Sequence, residues 1–88
     1  MKVKSRKRFI ENLEAMKDMK LLDDADAIVV LAAQVDSPEK IPGFKWLSGH
    51  STKGRIRIES YRIGVDCQSN TIIFVCVLPI SIVYKEFP

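Results

Sequence analysis

Histidine and cysteine are almost missing from this chain, with one histidine and two cysteines among 88 residues. So few soft donors exclude a structural zinc site, which takes four ligands at paired spacings, and Cys67 and Cys76 show no C-x-x-C pattern. Long hydrophobic runs are missing as well. No stretch approaches the roughly 18 apolar residues of a membrane span, and the basic start is not followed by the apolar segment of a secretory signal. These absences predict a cytoplasmic protein with no metal, no cofactor and no membrane partner, its thiols free as a reducing compartment favours. Repeats and low-complexity segments are absent too.

What is present is an apolar content of 47%, enough for one small core. Residues 1–88 read as a single domain, which at this size buries about 60–65% of the surface of its unfolded chain. The net charge of +3 hides an asymmetry along the chain. Met1 to Lys20 carries seven basic and three acidic residues, while Leu21 to Trp46 carries two basic and five acidic. Segregated positive charge marks a footprint for nucleic acid or an acidic protein.

Lys2 to Ser5 has the length of an edge strand. Phe9, Leu13, Met16 and Leu21 then recur at roughly helical spacing and predict an amphipathic helix. A second helix is expected from Asp23-Asp24, whose carboxylates suit a helix start, through Ile28, Leu31, Ala32 and Val35 to the stop at Asp36-Ser37-Pro38. The two should form an antiparallel hairpin. Phe44 to Leu47 reads as apolar anchors in a loop, and Ser48 to Thr52 as a polar turn. Gly54–Ile58, Tyr61–Cys67 and Thr71–Leu78 alternate as strands of an antiparallel meander, with Pro79 interrupting and Ser81 to Tyr84 resuming it. The fold class is therefore α+β, in the order β-α-α-β-β-β, with the helical hairpin packed on one face of a small antiparallel sheet.

The meander carries the most informative pattern. Arg55 and Arg57 share one strand face, Ile56 and Ile58 the other. A two-residue turn at Glu59-Ser60 sets Arg57 opposite Arg62 on the same face, and like charges so opposed destabilise a sheet by several tenths of a kcal/mol. An anion bound between them removes that cost. A second turn at Ser69-Asn70 places Cys67 opposite Ile72 and Cys76 opposite Ile63, too far apart along the ladder for a disulfide. The helix-facing side should then hold Ile56, Ile58, Tyr61, Ile63, Val65, Phe74 and Cys76. The other side should hold the arginines with Ile73, Val75 and Val77, an apolar strand face that needs cover from this chain's tail or from a partner.

This order of elements, with Arg-Ile-Arg-Ile-Glu-Ser-Tyr-Arg-Ile-Gly and the ending Val-Tyr-Lys-Glu-Phe-Pro, resembles the RelE/ParE superfamily of toxins from type II toxin–antitoxin systems over essentially the whole chain. The most specific stretch runs from Leu47-Ser48-Gly49 to Arg62. The resemblance implies a RelE-like, ribosome-dependent endoribonuclease that cuts messenger RNA with the 2′-hydroxyl as nucleophile and is neutralised by a cognate antitoxin. By position it makes Arg55, Arg57, Arg62 and Tyr84 the catalytic set. Lys53, just ahead of them and without a specific family match, is expected to add phosphate attraction, and Lys7 and Arg8 of the basic run to contact RNA, while the apolar strand face of Ile73, Val75 and Val77 is the expected antitoxin docking surface. There are departures: Leu78-Pro79-Ile80 stands where relatives commonly read Leu-His-Arg, Gly54 replaces an aromatic, and Glu59-Ser60 replaces Gly-Asp. Ile80 is thus a missing phosphate-bracing arginine, and it leaves catalysis open. A ParE-like gyrase inhibitor, or a weakened toxin that acts by binding antitoxin and operator, is the alternative. His50 and Trp46 read as a solvent-facing loop histidine and a packing anchor.

Overall fold

The computed structural model describes residues 1–88. Strand β1 (Lys2–Ser5) is followed by helices α1 (Lys7–Glu14) and α2 (Met19–Gln34), and a 3₁₀ turn at Pro38–Lys40 leads to β2 (Phe44–Trp46). Strands β3 (Lys53–Ile58), β4 (Tyr61–Gln68) and β5 (Thr71–Pro79) and helix α3 (Ile80–Glu86) complete the chain. The five strands form one sheet in the order β1-β5-β4-β3-β2. The α+β class and the hairpin on one sheet face are as expected. The sheet is mixed, however, because β1 runs parallel to β5 while all other pairs are antiparallel.

Local chemistry moves several boundaries. Helix α1 ends at Glu14, and α2 starts at Met19 because the Asp18 carboxylate accepts the Leu21 N–H at 3.2 Å. The cap is Asp18, so Asp23 and Asp24 fall inside the helix and Leu21 belongs to α2. Phe44 to Trp46 is a strand, registered Phe44 to Ile56 and Trp46 to Gly54. Ser81 to Tyr84 is helical. Pro79 lacks the N–H that would continue a ladder, and its extended backbone starts α3 with Val83 and Phe87 one turn apart on the inner side.

Most consequential is a bulge in β5. The turn at Ser69-Asn70 pairs Cys67 with Ile72 as expected, and Val65 with Phe74, but Gly64 then pairs with Cys76, so Val75 is an extra residue. One inserted residue exchanges the faces of all that follow. Val77 therefore pairs with Ile63 and is 2% exposed in the helix-side core, while Cys76 faces the opposite side. The expected placements of Val77 on the arginine face and of Cys76 among the helices are both reversed. Beyond the end of β1, Asn12 of α1 accepts the Val77 N–H at 3.1 Å and satisfies the open edge of β5.

The main core lies between the helices and the sheet, around Phe9, Leu21, Ile41, Ile56, Ile63, Ile72, Phe74 and Val77. Phe9 and Phe74 meet with ring centroids 5.2 Å apart. Each fully buried side chain of this kind contributes about 1.5–3 kcal/mol. A smaller cluster of Cys76, Val83 and Phe87 lies on the other face, flanked by Leu47, Val75 and Leu78. The chain's own tail thus covers the centre of that face. Phe87 rests on Gly64, where a Cβ would stand 2.8 Å from its ring.

Gly64→Ala should accordingly cost about 1–3 kcal/mol through overpacking. In urea titrations, Gly64→Ala combined with Phe87→Ala should be less destabilised than the sum of the single changes. Strict additivity would mean that the two residues do not share this contact.

Candidate nucleic-acid interface

Alternation along β3 and β4 sends Arg55, Arg57 and Arg62 to the sheet face away from α1 and α2, and Arg57 lies directly opposite Arg62 as expected. The three are held differently. Arg62 folds over the turn, its Nη1 donating to the carbonyls of Glu59 at 3.0 Å and Tyr61 at 2.8 Å. Arg55 donates through Nη1 to the Gly43 carbonyl at 2.5 Å. Arg57 is exposed and takes no partner in the protein. Two guanidinium groups are thus anchored through one nitrogen each and keep the rest of their N–H fork for a ligand. The turn itself is tight, with Glu59 at a φ of 53°.

Lys53 is on the same face but is already engaged. Its Nζ lies 2.6 Å from Oδ2 of Asp66, directly across the ladder, and Asp66 is 5% exposed. Burial alone would push the Asp66 carboxyl up, but hydrogen bonds from Lys53, Gln68 and Thr52 outweigh it and hold the group below its ordinary range. Lys53 therefore neutralises a buried carboxylate. Lys45, on β2, lies opposite Arg55 and adds a cation to this face that sequence reasoning missed. Its signal was the alternation Phe44-Lys45-Trp46, hidden by reading these residues as loop anchors. Gly54, where relatives carry an aromatic, leaves room for the Phe44 ring, which a Cβ at 54 would meet at 2.6 Å.

Other expected residues are dispersed. Tyr84 is 51% exposed on α3, which docks on the arginine face. Lys7 is exposed on α1, and Arg8 bridges α1 to α3 through an ion pair with Glu86. Ile73 and Val75 are half-buried, and Val77 is absent from this surface. Ile80 is 46% exposed in the first turn of α3, its N–H donating to the Ser60 carbonyl at 2.9 Å. It therefore stands at the arginine end of the sheet. His50 is exposed in the loop before β3. Trp46 is held on the sheet edge by an N–H bond to Glu39 at 2.8 Å and by the edge of Phe44.

No three His, Cys, Asp or Glu side chains gather as a metal site would require. Both cysteines are free thiols, and burial pushes Cys67 up to about 11, far from a reactive thiolate at neutral pH. The largest cleft, about 660 Å³, lies between the α1–α2 connection and the β3–β4 turn and contains none of the three arginines. None of the helices is long and apolar enough to cross a membrane. The concentration of positive charge is an open surface, suited to a polymer rather than to a small molecule.

No family profile and no curated protein sequence matches the chain. Solved structures do. The chain superposes on one from the RelB-RelE antitoxin-toxin complex of Methanococcus jannaschii with a TM-score of 0.82 and 26% identity, covering 97% of this chain and 99% of that one. The chain has the fold of the RelE-like toxins. A chain of the RelBE2 toxin-antitoxin complex from Mycobacterium tuberculosis shares this RelE-like fold at a TM-score of 0.67 and 16% identity, over 89% of this chain and 95% of its own. A conserved hypothetical protein from Helicobacter pylori does so at 0.55 and 16%, over 92% and 96%.

The Lys53–Asp66 pair sets a pH dependence for this RelE-like domain. Because the folded-state pKa of Asp66 is depressed, its stabilisation is complete above the unfolded value near 4 and is lost as pH falls through the folded value below it. Asp66→Asn should cost on the order of 1.5–3 kcal/mol at pH 7 and flatten the acid limb of stability against pH. An unchanged acid limb in thermal melts would show that the pair contributes nothing.

Proposed function

We propose that this protein is the toxin of a type II toxin–antitoxin system, acting in the cytoplasm as a RelE-like, ribosome-dependent messenger RNA endoribonuclease and held inactive by a cognate antitoxin. The observation that carries this reading is the opposed Arg57 and Arg62 on the basic part of the sheet face that α3 leaves open. The two arginines start from opposed positions on the ladder, and a phosphate that reaches both meets N–H donors that match its oxygens. The M. jannaschii and M. tuberculosis complexes, each a toxin with its antitoxin, support the partner assignment.

In this reading the 2′-hydroxyl gives up its proton to water and its oxygen attacks the adjacent phosphorus, while the bond to the 5′-oxygen breaks and that oxygen takes a proton from water. The expected ends are a 2′,3′-cyclic phosphate and a 5′-hydroxyl. Charge grows on the phosphoryl oxygens as the attack proceeds, so Arg57 and Arg62 act by stabilising it, with Arg55 and Lys45 holding the neighbouring phosphates. Lys53 serves instead to keep Asp66 neutralised beneath the strand. Tyr84, exposed on α3, is proposed to engage the nucleotide. The antitoxin would lie over Ile73 and Val75, with acidic residues towards the arginines.

One observation favours a second reading. Ile80 provides an apolar side chain at the arginine end of the sheet, where relatives commonly bring another guanidinium. A toxin fold so depleted would bind its targets more effectively than it cuts, or act as a gyrase inhibitor.

Arg57→Ala should reduce messenger RNA cleavage on purified ribosomes by about 10²–10³-fold and leave stability within about 0.5 kcal/mol, since the side chain is exposed. Ile80→Arg should raise cleavage. Ribosome binding without any cleavage by the wild type or by Ile80→Arg, together with inhibition of DNA supercoiling, would replace the ribonuclease with the gyrase reading. For the antitoxin, Ile73→Glu should abolish co-purification of the complex while the domain stays folded. Undiminished co-purification would place the docking surface elsewhere.

A further inference from the structure

The register of β1 puts two more cations on the arginine face. Val3 pairs with Ile72 and packs on the main core, so its neighbours Lys2 and Lys4, registered to Thr71 and Ile73, face the other way and are exposed. Ile73 is in turn opposite Asp66, and Asp66 opposite Lys53, which ties Lys4 to the same row as the Lys53–Asp66 pair. The face is therefore basic at both flanks. Lys45 and the arginines occupy one side and Lys2 and Lys4 the other, with Phe87 and α3 standing on the strands between. Asp66 is the sole carboxylate among the strand residues of this face, and Lys53 cancels it.

We propose that single-stranded RNA binds across the whole sheet, from Lys45 and the arginines past Phe87 and over the neutralised Asp66 row to Lys4 and Lys2. The proposal rests on the reading of the chain as an RNA-acting toxin and extends its binding surface to the first strand. Four strand spacings of about 4.8 Å make the face about 19 Å wide, the length of roughly five or six stacked nucleotides at 3.4 Å per phosphate. The scissile position would lie near the arginines, and the flanking nucleotides would reach Lys4 and Lys2. A twist of roughly 20–25° per strand accumulates to a right-handed saddle. A flexible single strand follows such a surface and a rigid duplex does not. The cations lie at both flanks of a face whose centre carries the neutralised Asp66, half-buried Ile73 and the covering Phe87, so a chain charged along its whole length meets both flanks where a short acidic segment meets one.

The test is the salt dependence of binding to an uncleavable 2′-O-methyl single-stranded RNA longer than the face, read by fluorescence anisotropy. Each lost phosphate contact lowers the slope of log K against log salt by about 0.7. Lys2→Gln with Lys4→Gln should lower it by about 1.4, or about 25-fold in affinity at roughly 0.1 M salt with convergence near 1 M. Lys17→Gln, on the helical side, should change neither. A slope that falls for Arg57→Ala but not for the Lys2 and Lys4 pair would overturn the extended track and leave the toxin reading intact. No salt-dependent RNA binding by the wild type would overturn both. Equal competition by a duplex, or by polyglutamate, would overturn the single-stranded RNA and reassign the face to that polyanion.

Discussion

Val75 is the residue on which the architecture of the second face depends. Strands β4 and β5 leave their turn in simple alternation, and had it continued, Cys76 would have entered the main core and Val77 would have faced out. The extra residue reverses both. Val77 then completes the apolar layer under α1, and the small Cys76 provides a shallow seat for Val83 beside the bare backbone of Gly64. A bulky side chain at either position would lift α3 off the sheet. The bulge therefore decides how much of the face is closed by the chain itself and how much stays open.

Closure and charge are balanced on that open remainder. Burying the Asp66 carboxylate is costly unless it is paired and hydrogen-bonded, and Lys53, Gln68 and Thr52 supply those partners. Arg62 and Arg55 are tied to backbone carbonyls, which orders their side chains before any ligand arrives and reduces the entropy lost on binding. Arg57 alone retains its freedom. Arg57 and Arg62 are opposed on the ladder, with Arg62 turned onto the carbonyls of Glu59 and Tyr61, an arrangement whose like charges an anion would offset.

The arginines lie on an open face, which supports the proposed reading of a polymeric substrate. Chemistry on such a surface depends on positioning and on fixed positive charge. In that reading Ile80 in place of an arginine would bear on rate more than on recognition, because the remaining cations would still attract a phosphate chain. In the proposed reading the antitoxin and the RNA share parts of one face, and neutralisation is by occlusion.

Much of this was legible in the residues themselves. Alternation in Arg55-Ile56-Arg57-Ile58 and the two-residue turn at Glu59-Ser60 determine the facing of Arg57 and Arg62, because strand period and turn length are local properties of the backbone. The Asp18 cap was hidden because several carboxylates compete for the role, and only the direction of the chain leaving α1 selects among them. The strand character of Phe44 to Trp46 depends on β3 being there to pair with it. Lys53 was legible as a cation but not as a paired one, since its partner is thirteen residues away across a ladder. The face of Val77 and the helical tail lay beyond local reasoning altogether. A bulge shifts alternation without marking the sequence at that point, and α3 is helical because the sheet beneath it offers a small apolar seat. Periodicity thus determined which residues share a strand face up to the first irregularity, and the packing of distant segments decided everything after it.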